Sequence, residues 1–254
     1  MGLLDHITSD VVREPPRICV YGKPGIGKTT LAHSAPNSFF ICTESDSTKK
    51  LLGSDRMPDC TTLDGFIKQL NIIGAEDEIP FKTLVIDGLS GLEKLIERVL
   101  CDLHNVDTIQ DIGGGYGKGE RMTVSYFLQV FELLDRIRVK HKICIMILAH
   151  NNVTTFKDPA SDSYNYYCPD VNKYARGELV KWLDCLFFAD YEVYKDSKEE
   201  GFGNKRVIAK GDGNRILHTQ ERPAYLCKTR YHHNKKIPMT WEAINIGFSK
   251  GEEA

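Results

Sequence analysis

The stretch RICVYGKPGIGKTTL, residues 17–31, restricts the fold of this chain more than any other. RICVY reads as a buried strand. A loop with glycines at 22, 25 and 27 follows, and Lys28 with two threonines then opens a helix. The spacing Gly22, four residues, Gly27-Lys28-Thr29 fits G-x-x-x-x-G-K-[ST]. Glycine reaches positive φ without a Cβ penalty, so such a loop can curl and aim successive N–H groups inward at an anion. The start of the helix favours the same charge. Gly22, Lys23, Pro24, Gly25, Ile26, Gly27, Lys28, Thr29 and Thr30 are therefore expected to cradle the phosphates of a nucleotide. Lys28 would reach the β- and γ-phosphates, and the Thr29 hydroxyl would hold Mg²⁺.

The rest of the chain continues the strand–helix alternation. SFFIC (38–42), TLVID (83–87) and ICIMILA (143–149) are short, continuously apolar runs, as strands buried on both faces require. Between them, TLDGFIKQLNII (62–73) spaces Leu63, Phe66, Ile67 and Leu70 as a helix does. SGLEKLIERVLCDL (90–103) offers Ser90 as an N-cap and puts Leu92, Leu95, Ile96 and Leu100 on one face. MTVSYFLQVFELLDRIRVK (122–140) reads as a long helix. This order predicts an α/β fold: a mainly parallel central sheet with helices on both faces. After residue 175, CLFFADYEVY (185–194), KRVIAKG (205–211) and AYLCK (224–228) read as strands joined by polar turns, an antiparallel C-terminal extension of the same sheet. The expected organisation is an arm over 1–15, a candidate subunit contact, one core over 16–248, and a flexible tail over 249–254.

A chain of 254 residues suits one large α/β domain. Its net charge of −2 makes it no general magnet for nucleic acid, so any such contact needs a local basic patch. The eight cysteines include no C-x-x-C pair, and Cys227 with His232 and His233 is the nearest thing to a metal cluster; buried thiols in a reducing cytoplasm fit better. The start MGLLDHITSD has no basic, apolar leader pattern, and no run approaches the ~20 apolar residues of a membrane span.

A phosphate loop that binds Mg²⁺ needs a second carboxylate. Asp87 ends a buried strand and would lie at the same sheet edge as the loop; its plainer role is to cap the next helix. The residue after it is Gly88, where ordinary AAA+ ATPases carry glutamate, so a base that polarises water must come from elsewhere. Glu44, just past the SFFIC strand, is the candidate, with a turn cap as the alternative. His150 ends ICIMILA and could hydrogen-bond a γ-phosphate and sense its loss, or simply satisfy local backbone. The segment NKKI (234–237) lacks the aspartate of an Asn-Lys-x-Asp guanine reader, which favours ATP over GTP.

The motifs GKPGIGKTT, FFICTE, TLVIDGLS, ICIMILAH and KTRY stand in the order found in RecA-like recombinase cores. The set resembles phage nucleotide-binding and single-strand-annealing proteins, which are minimal RecA-like P-loop ATPases, over residues 16–232. The resemblance implies that Lys28 and Thr29 bind nucleotide and Mg²⁺, and that Glu44 stands where the class keeps its catalytic glutamate. His150 stands where RecA keeps a glutamine, a departure from the pattern. Lys228 and Arg230 in CKTRYHHNKK resemble a Lys-x-Arg segment presented to the ATP of a neighbouring subunit; alternating on a strand, they point the same way. A solvated basic edge is the alternative.

In RecA-like cores a loop after the helix that follows the second strand of the nucleotide site touches single-stranded DNA. The matching stretch here, IGGGYGKGER (112–121), has five glycines around Tyr116, Lys118 and Arg121, and cannot be a regular helix or strand interior. Amides and Lys118 would meet phosphates while Tyr116 stacks on a base. A second irregular loop, from Asn151 to about Lys173, carries Lys157, Tyr164, Tyr166 and Tyr167. Either could instead be a surface loop that binds nothing. The sequence thus suggests a cytoplasmic ATPase using ATP and Mg²⁺. It would bind single-stranded DNA and promote annealing or strand exchange in phage recombination, as a homo-oligomeric ring or filament with ATP at subunit interfaces. A phage single-stranded-DNA-binding protein is a possible partner, and a membrane is not. The rivals are a nucleotide or nucleoside kinase and a non-hydrolysing, nucleotide-dependent loader.

Overall fold

The structure, a computed structural model, describes residues 14–44, 53–157, 162–192, 194–200, 204–210 and 213–249. The expected arm (except its last two residues) and the tail beyond Ser249 lie outside them. The elements run β1 (Arg17–Gly22), α1 (Lys28–His33), β2 (Ser38–Cys42), β3 (Asp55–Arg56), α2 (Leu63–Ala75), β4 (Thr83–Asp87) and α3 (Leu89–His104). A 3₁₀ segment (Ile109–Gly114) precedes α4 (Lys118–His141), β5 (Cys144–Phe156), β6 (Tyr164–Pro169), α5 (Lys173–Trp182) and β7 (Cys185–Tyr191). Then come β8 (Tyr194–Glu200), β9 (Asn204–Lys210), β10 (Arg215–His218), β11 (Lys228–Thr229), β12 (Lys236–Pro238) and α6 (Trp241–Ser249).

Among the described residues one ten-stranded sheet dominates, in the order β12-β10-β7-β1-β5-β4-β2-β3, with β11 on β7 and β6 on β5. From β3 through β7 every neighbouring pair is parallel. The pairs involving β10, β11 and β12 are antiparallel. This is a mostly parallel sheet with an antiparallel C-terminal extension, the fold class that the sequence predicts. Alternate residues of each buried strand face opposite layers. Cys19, Tyr21, Ile41, Leu84, Ile86, Ile145 and Ile147 pack with α2, α3, α4 and α5. Ile18, Val20, Phe40, Val85, Met146 and Leu148 pack with α1 and α6. Both faces are covered, which is why these strands carry no polar alternation.

Several elements depart from the sequence reading. Ser90 does not cap α3: Gly88, at φ 119°, makes the turn, and Ser90 sits inside the helix donating to the Asp170 carbonyl at 2.8 Å. The strand through His150 does not end there but continues to Phe156 and pairs with β6, so the expected loop after residue 150 is mostly a hairpin, followed by α5. Its run of β-branched and aromatic residues suits a ladder better than a loop. The glycine-rich stretch is partly helical, since α4 opens at Lys118. Residues 185–191 run parallel to β1, not antiparallel, and β8 with β9 forms a separate two-stranded sheet. Of the last expected strand, 224–228, only Lys228 lies in a regular strand, which runs on to Thr229. The sequence reading lacked β3, β6, β10, β12, α5 and α6, and all of β8 but Tyr194.

Burial also places a carboxyl where the hairpin rejoins the core. Glu93 on α3 accepts from the Asn172 backbone N–H at 2.8 Å and from its side-chain amide at 2.7 Å. Asn172 in turn caps α5 through Tyr174 and Ala175. Burial pushes the Glu93 carboxyl up to about 7, against the pull of the Asn172 bonds. Between its ordinary value of 4.5 and about 7, the folded chain therefore holds a proton that the unfolded chain has lost. This contribution to stability falls as pH rises across that window and levels off above it. A Glu93→Gln variant keeps the acceptor and escapes the loss. Denaturant titrations should show its stability gaining on the wild type by on the order of 3 kcal/mol between pH 4.5 and 8; a gap independent of pH would contradict this account.

Candidate functional site

The loop between β1 and α1 is set by the register of its strand. Gly22 pairs with His150 on β5, and Asp87 at the end of β4 pairs with Leu148 and with Cys42 of β2. Because the strands are parallel, all of their C-terminal ends open on one edge. Pro24, Gly25, Gly27, Lys28, Thr29 and Thr30 line a cleft of about 390 Å³ there together with Glu44, Asp87 and His150. Residues singled out from four separate motifs, the phosphate loop and the strand ends that carry Glu44, Asp87 and His150, thus share one cavity.

Each contact has a chemical reading. The Lys28 ammonium donates to the carbonyls of Gly22 at 2.8 Å and Lys23 at 3.0 Å, so the loop's own backbone holds it. Burial lowers its pKa, and the nearby Asp87 and Glu44 charges oppose that shift. The Thr29 hydroxyl donates to Asp87 Oδ2 at 3.2 Å. Hydroxyl and carboxylate oxygens side by side are the hard donors that Mg²⁺ takes alongside phosphate oxygens, so these two residues fit the expected metal.

Glu44 bridges two elements. Its Oε1 accepts from the Gly91 N–H at 2.8 Å, and its Oε2 lies 3.2 Å from His150 Nε2. A carboxylate only accepts, so the imidazole nitrogen donates. The His150 bond holds the Glu44 carboxyl below its usual range, against the effect of burial. Glu44 is thus a fixed carboxylate on the wall of the cleft.

The structure also explains why glycine follows Asp87. A Cβ on Gly88 would lie 2.5 Å from the Glu44 Cγ, and one on Gly91 would lie 2.6 Å from it. The Thr43 hydroxyl donates to the Gly88 carbonyl, fastening the end of β2 to this turn. The Glu44 side chain fills the room a residue-88 side chain would need. Sequence reasoning passed over Thr43, Gly88 and Gly91 as site residues; the signal was the pair of glycines three apart straight after Asp87.

Other expected site residues lie apart from this cleft. Tyr116 is fully exposed at φ 57°, while Lys118 is the first residue of α4. The Arg121 guanidinium sits 4.8 Å from the centre of the Tyr174 ring, at the start of α5. Lys157 follows the last residue of β5, beside the exposed Phe156. Lys228 and Arg230 lie near the opposite edge of the sheet, since β11 pairs with the start of β7. Lys228 donates to the carbonyls of Val180 at 2.7 Å and Leu183 at 2.6 Å, closing the end of α5. Arg230 pairs with Asp184 at 3.0 Å. Cys227 donates to the His218 carbonyl, and His233 lies between the Thr229 hydroxyl and the Ile244 carbonyl. Among the described residues no group of three or more His, Cys, Asp or Glu side chains could hold a metal, and no helix is long and apolar enough to cross a membrane.

A family described as AAA domain matches residues 14–231. No curated protein matches the chain. Among solved structures, the crystal structure of the RadB recombinase aligns with 84% of this chain and 86% of its own, at 14% identity and a TM-score of 0.46. A likeness of that degree says nothing about ligands or partners.

The packing of Glu44 against glycine yields a direct test. In a Gly91→Ala variant the new methyl group would meet the Thr43 carbonyl at 2.6 Å as well as the Glu44 Cγ, so the end of β2 shifts and carries Glu44 away from His150, while Lys28 and Thr29 lie on the separate turn between β1 and α1. Misplacing a reacting group by about 1 Å can cost on the order of 10²-fold in rate. Nucleotide binding should survive and turnover should fall on that scale; a variant that turns over ATP at the wild-type rate would show that Glu44 need not be held there.

Proposed function

We propose that this chain, which belongs to the AAA domain family, hydrolyses ATP in the cleft at the end of β1 and uses the ATP state to control its hold on single-stranded DNA. The observation that carries this reading is the hydrogen bond between Glu44 and His150 beside Lys28, Thr29 and Asp87. Lys28 and the loop amides bind the phosphates, and Thr29 with Asp87 would hold Mg²⁺, which offsets phosphate charge when bound. Glu44, ionised and fixed by Gly91, orients a water for in-line attack on the γ-phosphorus and takes up its proton. The bond from that water's oxygen to phosphorus forms as the bond to the β–γ bridging oxygen breaks, with ADP leaving.

His150 supports the link to DNA. It bonds Glu44 on one side, and its own strand continues into the β5–β6 hairpin, where Phe156 lies 5.4 Å from the ring of Tyr164. A change at the γ-phosphate that moves Glu44 is felt by His150 and by the backbone that follows it. The exposed Tyr116 and Lys118, with Lys157 at the hairpin, offer stacking and phosphate contacts to a flexible strand. Assembly into a ring or filament would bring a neighbour to the ATP. Arg230, half exposed beside Asp184, is the better placed of the Lys228–Arg230 pair to serve such a neighbour. Phage recombination is the setting that the sequence resemblance suggests.

The test is ATP hydrolysis measured with and without single-stranded DNA, and with small-molecule phosphate acceptors. DNA should stimulate hydrolysis and acceptors should not be phosphorylated; a phosphorylated nucleoside would favour a kinase. In a Tyr116→Ala, Lys118→Ala double variant, affinity for single-stranded DNA should fall by about 1–3 kcal/mol, the value of one stacked base. Unchanged affinity would remove this surface from the DNA site.

A further inference from the structure

A residue outside every motif reaches the phosphate loop from the opposite flank. Arg215 opens β10, which pairs with β7 and, through it, lies two strands from β1. Its backbone is pinned: the Met239 N–H donates to the Arg215 carbonyl, and the next residue, Ile216, is buried. Its side chain is exposed and runs back over the loop. A Cβ on Gly27 would lie 2.5 Å from Arg215 Nη1 and 3.4 Å from Cζ, so the guanidinium already packs on the Gly27 backbone. Gly27 is at φ 101°, the turn that leads into Lys28. Among the described residues no carboxylate pairs with this guanidinium, so an ion pair does not account for its position.

The sheet order says which part of a nucleotide it would meet. Glu44, Asp87 and His150 end β2, β4 and β5, all on one side of β1. The groups for the terminal phosphate and its metal therefore occupy that flank. A nucleotide lying along the loop with its γ end there must run its α-phosphate and nucleoside toward β7 and β10. Arg215 is the cation on that flank in contact with the loop. A guanidinium is the side chain best matched to paired phosphate oxygens.

We infer that Arg215 binds the nucleotide within its own chain, donating to α-phosphate oxygens from the side of the loop opposite Asp87. The inference rests on the nucleotide site proposed above and adds a residue that grips the end of the ligand away from the reacting phosphorus.

The test is calorimetric binding of ADP and GDP to the full chain and to its Arg215→Ala, Arg215→Lys and Lys28→Ala variants, alongside the melting temperature of each without nucleotide. Arg215→Ala should bind both nucleotides about tenfold or more weakly, the scale of a lost charge-assisted hydrogen bond. Arg215→Lys should fall between it and the wild type, and the nucleotide-free melting temperature should not move. ADP affinity within twofold of the wild type in Arg215→Ala would overturn the inference while leaving the site intact. A loss for ADP but not GDP would overturn the phosphate contact in favour of a base contact. A fall in affinity matched by a lower melting temperature, and not restored in part by lysine, would make Arg215 a prop for the loop. A wild-type protein that binds neither nucleotide, like Lys28→Ala, would overturn the site reading itself.

Discussion

Everything in the proposed mechanism depends on β1 lying between two parallel neighbours, β5 and β7, with β4 and β2 continuing the parallel run. Parallel strands release their chains at one edge, so residues far apart in sequence are delivered to the same place. Gly22 and His150 share a register line, as do Asp87 and Leu148. The opposite edge is closed by ion pairs. Arg17, at the start of β1, pairs with Asp184 at 3.0 Å and Asp135 at 3.3 Å, and Trp182 donates to Asp135 at 2.8 Å. Those bonds fasten the starts of β1 and β7 to α4, leaving the other edge for chemistry.

Within that edge, the placement of Glu44 sets this site apart from one with Asp-Glu at the end of the metal-binding strand. The carboxylate arrives from the neighbouring strand β2, and the chain after Asp87 makes room for it with Gly88 and Gly91. This arrangement leaves Glu44 free to bond two things at once, the start of α3 through Gly91 and the middle of β5 through His150. Because β5 continues unbroken to Phe156, the group that would sense the γ-phosphate and the aromatic hairpin belong to one strand. No separate relay element is needed between them.

The sequence made legible those parts whose physics is local or repetitive. The phosphate loop is a fixed spacing, and RICVY, SFFIC and TLVID are strands buried on both faces, with nothing but apolar residues over their centres. Asp87, Glu44 and His150 were found because they lie at or just past the apolar runs of three such strands. The hairpin was misread because Asn151–Phe156 and Tyr164–Pro169 are polar and aromatic, exposed on much of their surface, and stabilised by pairing with each other. Helix α5 buries only Ala175 and Leu179, too few to make a readable stripe. Lys228 and Arg230 do face a common direction, but their partners at the end of α5 are invisible without the fold. Arg215 touches Gly27 across two strand crossings, and no spacing rule connects them.

The central claim is that Glu44, not the residue after Asp87, orients the water. The most direct measurement pairs ATP binding with turnover in a Glu44→Gln variant, which keeps the shape of the side chain and removes its charge. The account predicts wild-type affinity for ATP and turnover reduced by at least ~10²-fold, the scale for a positioned acid–base group. Hydrolysis at the wild-type rate in that variant would contradict it.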